Sequence, residues 1–252
     1  MPGCLRGVSQ MKALIRKAML RVARAFKGPT FDIDTAMPLR ALIGYSFRRG
    51  MAMFRCVLRG VVLSLNPGKL VFIGPDVELR NRRGISIGAG STLGKGVIID
   101  GLSKEGVVIG RNVNIGPYSI IEATGVISQL GKGLRIGANS GLGAYSFIGA
   151  AGGVSIGKNV IMGQRISFHS ENHRFDRLDV PIRVQGVTHE GIVVEDDCWI
   201  GANVVFLDGA HVGHGSVIGA GAVVRGEIPP FSFAAGVPAR IIRQRGKAER
   251  PD

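Results

Sequence analysis

The feature that most restricts this chain is an apolar–glycine pair that returns every six residues. Within residues 192–224 the pair stands at Ile200-Gly201, Val212-Gly213 and Ile218-Gly219, and Phe206 fills the slot between the first two. Upstream, Ile87-Gly88 leads to Leu93-Gly94, and Ile109-Gly110 to Ile115-Gly116. Ile136-Gly137, Leu142-Gly143 and Ile148-Gly149 form a triple, and Ile156-Gly157 leads to Met162-Gly163. A period of six fits neither a helix nor an alternating strand. It fits a flattened coil of short strands, in which every sixth side chain points inward and the next residue turns a corner. Glycine and asparagine serve such corners because they tolerate positive φ. Each unit can bury its apolar face only by stacking on a neighbour, so the pattern predicts a parallel β-helix. Randomly placed glycines, even the 39 present here, would not hold one phase over five separate stretches.

The rest of the composition agrees. Aromatic residues make up only 6% of the 252, which suits a narrow core of Val, Ile, Leu and Ala. Cys4, Cys56 and Cys198 are odd in number and widely spaced. They form no metal-type pair and no disulfide framework, which points to a reducing compartment.

Charge divides the chain. Residues 1–60 hold twelve Lys or Arg against Asp32 and Asp34, so +10 of the net +14 lies in under a quarter of the length. Residues 10–27, QMKALIRKAMLRVARAFK, read as an amphipathic helix with Leu14, Ile15, Ala18, Met19, Val22 and Phe26 on one face. A second basic apolar segment follows at 47–65. Charges interrupt every apolar run, so neither a signal peptide nor a membrane span is expected. Two roles fit residues 10–65. They lie on an anionic membrane surface, or they pack on the first coils or on a neighbouring subunit. No nucleic-acid motif is present.

The expected organisation is therefore a basic helical region at 1–66, a β-helix at 67–228 and a C-terminal extension at 229–252. Pro67-Gly68 marks the first boundary, and LVFIGPDVEL at 70–79 opens the coils. About seven coils are expected, stacked to roughly 35 Å at 4.8 Å per strand. Residues 100–107 and 123–133 break the phase, either as corner bulges or as degenerate coils. Pro229-Pro230 ends the coils, residues 238–245 are expected to form a short basic helix, and the last six residues to fray.

Between two good coil segments, residues 169–191 lose the pattern. A loop this long within a compact domain is usually functional or disordered, and Phe175, Leu178, Val180 and Ile182 give it something to pack. Its Asn172-His173-Arg174-Phe175-Asp176 stretch is the strongest chemical candidate. A neutral imidazole can take a hydroxyl proton near neutral pH, and backbone N–H groups at coil turns can receive an oxyanion. By residues alone, His169 competes with His173. His189, His211 and His214 read as surface or contact residues.

These motifs resemble the hexapeptide-repeat acyltransferases, in particular the sugar and capsular-polysaccharide O-acetyltransferases. The resemblance rests on NHRFD, Val180-Pro181-Ile182, Gln185-Gly186 and Trp199-Ile200-Gly201 in that order, with Ala234-Ala235-Gly236-Val237-Pro238-Ala239-Arg240-Ile241-Ile242 as the closing motif. It covers roughly residues 70–245. It implies a left-handed coil, a homotrimer, and acetyl-CoA as cosubstrate in the groove between two prisms, with no metal. It implies His173 as general base, with Asn172 and Trp199 on the acceptor side. Ala202, Ala220, Arg240 and Arg243 would lie along the coenzyme. Where many relatives carry Val-Thr-Lys-Asp, this chain has Val224-Arg225-Gly226-Glu227, so Arg225 stands in for the lysine one position early.

The implied function is acetyl transfer to a saccharide hydroxyl in polysaccharide or envelope-glycan synthesis. The place of action would be the cytoplasm, at the inner face of the plasma membrane if the basic region binds there. The alternatives are an amino-sugar or other small acceptor, a zinc carbonic-anhydrase-like enzyme using His169 and His173, and a scaffold without catalysis.

Overall fold

The computed structural model describes residues 2–27, 29–34, 36–58, 70–125 and 129–246, with side chains of α1 described from Met11 to Arg24 except Lys12. Helix α1 spans Pro2–Lys27 and α2 spans Leu39–Leu58. The expected 66/67 boundary, the Pro67-Gly68 break and the C-terminal tail lie outside the described residues. Helix α2 starts eight residues ahead of the basic segment expected at 47 and packs on the strand Phe72–Ile73, which opens the coils. No helix among the described residues is long and apolar enough to cross a membrane.

From residue 70 the chain is a left-handed parallel β-helix. Face I runs from the strand Phe72–Ile73 to Ser232–Ala235, face II from Glu78–Arg80 to Val223–Val224, and face III from Ile85–Ile87 to Glu227–Ile228. Faces II and III have seven strands each, in agreement with the seven expected coils.

The six-residue pattern becomes the core directly. Leu93, Ile115, Leu142, Met162, Ile200 and Ile218 stack inside face I, each 5% exposed or less. Phe206 is fully buried and stacks on Phe168 at 4.6 Å between centroids, so it does fill the missing apolar slot. The corners explain the glycines and asparagines. Between faces III and I, Asn112, Asn139, Asn159 and Asp197 repeat a φ near +55 to +60°. Their side chains join in a ladder, with Asn159 Nδ2 donating to Asp197 Oδ1 at 2.9 Å. Buried Ser91 and Ser140 tie successive coils by accepting an amide and donating to a carbonyl.

The two phase breaks are corner bulges between faces II and III, and they stack on each other. Lys104 N donates to Gly131 O and Glu105 N to Lys132 O, each at 2.9 Å. Residues 126–128 of the second lie outside the described residues.

The expected C-terminal helix is not formed. Residues Arg240–Gln244 are a strand, antiparallel to Ser232–Ala235, with Ala235 opposite Arg240 and Phe233 opposite Arg243. The last strand of face I would otherwise present an unpaired edge. A five-residue segment gains more from that ladder than from a helix too short to offset its own nucleation.

Candidate active site

Residues 170–191 form a hairpin at the corner between faces II and III. Its first strand, Asn172–His173, pairs antiparallel with Val187–Thr188, Asn172 opposite Thr188 and His173 opposite Val187. Arg174 N closes the next rung on Gly186 O at 2.9 Å, and Gly186 holds φ +84°. Gln185 crosses the tip. Its Oε1 accepts from Arg177 N at 3.0 Å, and its Nε2 donates to Arg177 O at 2.7 Å and Val180 O at 3.0 Å. Arg177 also forks onto Asp179, and this bond holds the Asp179 carboxyl below its usual range. The Gln-Gly pair thus has a mechanical reason: Gln185 staples the tip and Gly186 takes a backbone turn that other residues resist.

The stem is clamped from the next coil. Asp208, 8% exposed, accepts from Gly191 N at 2.7 Å through Oδ1, and from Thr188 Oγ1 at 3.0 Å and Glu190 N at 3.1 Å through Oδ2. On the other side His189 Nε2 meets Glu171 Oε2 at 2.7 Å, and His189 Nδ1 meets Gln129 Nε2 at 3.3 Å. His189 is therefore a strut of the stem. Sequence reasoning left it as a surface or contact residue and did not single out Asp208 at all. Neither contact has a short-range signal, because Glu171 and His189 meet only through the hairpin register.

The imidazole of His173 is held differently. It is exposed, and no side chain among the described residues bonds or pairs with it. Asn172 beside it is exposed too. His169 is not a loop residue. It ends the face II strand Ser167–His169, with Nε2 2.7 Å from Ser167 Oγ and its ring 5.7 Å from that of Phe147. The two histidines that the sequence leaves as competitors thus sit in different settings: His173 on a clamped hairpin with its ring nitrogens open, His169 on the coil face with a serine partner.

The remaining expected residues lie elsewhere. Ala202 and Ala220 occupy one corner, between faces I and II, on successive coils. A Cβ on Gly201 would lie 2.5 Å from Ala220 N, so the coils touch backbone to backbone there. Ala235 follows on the same edge, and Arg240 pairs with it, so Ala202, Ala220 and Arg240 share one edge. The Arg240 side chain is exposed, with Nη1 donating to Ala239 O at 3.3 Å. Arg243 lies on face I with its guanidinium 5.8 Å from the Phe233 ring. Trp199 also faces outward from face I, 58% exposed, between Ile161 and Val217. Arg225 follows Val224 at the corner of faces II and III, the same edge as the hairpin.

Within one chain, then, His173, Asn172 and Arg225 lie along one edge, and Ala202, Ala220 and Arg240 along another. The intervening face II strand is about five residues wide, roughly 15 Å. Trp199 is on the face opposite the hairpin corner. Cys198 offers no nucleophile: it is 1% exposed, its thiol bonds Gly213 O at 3.3 Å, and burial pushes its pKa up. Among the described residues no group of three His, Cys, Asp or Glu could hold a metal ion.

Comparison with known proteins agrees with this architecture. Residues 191–226 match the bacterial transferase hexapeptide (six repeats) model, and residues 68–101 and 133–163 match the hexapeptide repeat of succinyl-transferase. A probable acetyltransferase of Mycobacterium tuberculosis is 36% identical over 154 residues, 61% of this chain and 49% of that protein. A putative lipopolysaccharide biosynthesis O-acetyl transferase of Escherichia coli, WbbJ, is 26% identical over 66% of this chain and 74% of its own length. The chain spans about half the length of the first curated relatives it matches. Among solved structures, AntD, an N-acyltransferase from Bacillus cereus in complex with dTDP-4-amino-4,6-dideoxyglucose and coenzyme A, aligns with a TM-score of 0.50 at 18% identity, over 77% of this chain and 90% of that one. By its repeats and its coil the chain carries the hexapeptide repeat of bacterial transferases, and it is similar to the hexapeptide-repeat acyltransferases.

Proposed function

We propose that the protein transfers an acetyl group from acetyl-CoA to a hydroxyl of a saccharide, with His173 as general base. The observation that carries this reading is the contrast between a stem clamped by Asp208, His189 and Gln185 and an imidazole on it that is exposed and unbonded. A pinned backbone positions the base, and its open nitrogens await a substrate.

In the reaction, a neutral His173 nitrogen takes the acceptor hydroxyl proton as that oxygen bonds the thioester carbonyl carbon. Collapse of the tetrahedral adduct breaks the carbon–sulfur bond, and the imidazolium returns the proton to the departing coenzyme A sulfur. A base of this kind contributes about 10²–10⁴ in rate.

The split of the site residues over two edges favours a site completed between copies. The His173 edge of one chain would face the Ala202–Ala220–Arg240 edge of another, with Trp199 and Arg243 beside it. A homotrimer satisfies this arrangement. Arg240 offers several donors for phosphate groups of the coenzyme. A saccharide acceptor accords with relatives named lipopolysaccharide biosynthesis O-acetyl transferase and galactoside O-acetyltransferase, and with a role in polysaccharide or envelope-glycan synthesis at the cytoplasmic side of the membrane.

The test is coenzyme A release from acetyl-CoA by wild type and His173→Ala, across saccharides carrying hydroxyl or amino acceptors. Hydroxyl-dependent release that drops at least about 100-fold in the variant supports the assignment. Equal rates in both proteins would move the base elsewhere, and release only with amino sugars would reassign the acceptor.

A further inference from the structure

A cavity of about 560 Å³ lies between α1, the turn at residues 31–37, α2 and the first coil. Its wall includes Met19, Val22, Phe31, Met37, Met53 and Phe72. The volume falls in the range of about 300–1,000 Å³ that encloses small ligands. It is open on one side, where Val22 is 62% and Tyr45 50% exposed.

Charged groups border it unevenly. Arg49 lies half-buried in the wall, 3.5 Å from the Phe72 ring centroid, and gives one hydrogen bond to Thr92 Oγ1 at 2.8 Å. No carboxylate pairs with it among the described residues. Asp32 and Asp34 also border the cavity, but their carboxylates accept from Ile33 N and Ala36 N, each at 2.8 Å. Arg24 Nε bonds Phe31 O at 2.8 Å, and Arg16 bonds the carbonyls of Asp34 and Met37. Arg49 is thus the one guanidinium among the described lining residues, beside two carboxylates engaged by backbone amides, while Arg16 and Arg24 bond the backbone of the wall from outside.

The helices that build the chamber also turn apolar side chains outward. Leu14, Phe47, Phe54 and Leu58 are all more than half exposed, among exposed Arg21, Arg40 and Arg48. Such a surface is unusual for a helix facing only water and is the mark of an interface.

We propose that this cap binds an anionic membrane lipid, with one acyl chain in the cavity and the phosphate-bearing headgroup against Arg49 and the arginines around it. The wall is too apolar for a free nucleotide or sugar. Its three methionines adapt to a chain without fixed shape. The +10 charge of residues 1–60, out of +14 in the whole, supplies the long-range attraction to an anionic bilayer. The inference goes beyond acyl transfer and does not rest on it.

The test uses the full chain with vesicles of phosphatidylglycerol mixed into phosphatidylcholine. The phosphatidylglycerol carries a photoreactive diazirine near its chain end, and labelled peptides are mapped by mass spectrometry. Label is expected on peptides holding Met19, Met37 or Met53. Gly50 borders the cavity, and a Cβ added there meets nothing within 4 Å. Gly50→Phe therefore starts a side chain in open space at the cavity wall, directs its bulk at the chamber, and improves helix propensity. It should lower labelling at least about tenfold by excluding the chain's volume, with thermal unfolding and turnover of a water-soluble acceptor unchanged. Arg49→Gln should remove the preference for phosphatidylglycerol.

Equal labelling by the phosphatidylcholine analogue would overturn the headgroup assignment. Label confined to peptides with Leu14 or Leu58, which face outward away from the chamber, or undiminished in Gly50→Phe, would overturn the cavity. Absence of label, with a changed solution mass in Gly50→Phe, would show that a second copy of the chain fills the chamber instead.

Discussion

Removing the Asp208 carboxylate should loosen the hairpin without loosening the prism. Asp208 accepts three hydrogen bonds, from Thr188 Oγ1, Glu190 N and Gly191 N, while only 8% exposed. A hydrogen bond to an ionised acceptor is worth about 1.5–3 kcal/mol net. Bonds sharing one acceptor group are not independent, so the sum overstates the loss, and about 3–5 kcal/mol is a reasonable figure for Asp208→Ala. At about 1.4 kcal/mol per factor of ten, opening of the stem should become roughly two to four orders of magnitude more frequent. Hydrogen exchange followed by mass spectrometry reads this directly. Peptides over 171–191 should exchange faster, whereas Val205–Leu207 and His211–Val212 keep their parallel ladders and their protection. Acyl transfer should fall with it if His173 acts as the proposed base, because that residue loses its platform. Unchanged exchange over 171–191 in a folded Asp208→Ala protein would refute the clamp and, with it, the argument that His173 is pre-positioned.

Other substitutions probe the coil. Phe206→Ala removes a fully buried ring stacked on Phe168, and should cost about 3–5 kcal/mol of stability, read as a lowered denaturant midpoint. Gly201→Ala places a Cβ 2.5 Å from Ala220 N, a backbone atom that cannot step aside. Its melting temperature should drop well below that of Gly221→Ala, whose new Cβ meets nothing within 4 Å and carries only the strain of φ +72°; similar losses in the two would show that the coils do not touch there. The Glu195 carboxyl is held below its ordinary pKa, first by the hydrogen bond from His211 and then by His214 N. A depressed pKa in the folded state contributes stability above the unfolded pKa and loses it as pH falls through the folded one. Glu195→Gln should therefore flatten the acid side of the stability–pH curve and leave its alkaline side unchanged.

The sequence and the structure agree most where a residue's role is repeated. Leu93, Ile115, Leu142, Met162, Ile200 and Ile218 show their burial through spacing alone, because each coil imposes the same demand. The hairpin could be delimited only as a failure of that spacing. NHRFD marks it as the chemical candidate, but its mechanics were not legible: Asp208 is 17 residues from Gly191 and His189 is 18 from Glu171. The apolar period also says nothing about which outward side chains share an edge, so the separation of Trp199 from His173 became visible only in the register. The C-terminal strand was misread because Arg240–Gln244 has no pattern of its own. Its conformation is dictated by the open edge of Ser232–Ala235.

The stacked registers carry a final consequence for length. Gly141 and Ile161 pair across 20 residues, as Phe72 and Thr92 do, so a coil is a removable unit. Excising residues 141–160 would join Ser140 to Ile161 with every neighbouring strand still in register. The α1–α2 cap sits on the first coil and the hairpin leaves the fifth, a separation of about 19 Å at roughly 4.8 Å per step. The distance between a surface on which the cap rests and the atom to be acylated is thus quantised. It can be lengthened or shortened only in whole steps, and under the proposed function a ruler of this kind would select acceptors by how far the accepting group stands from that surface.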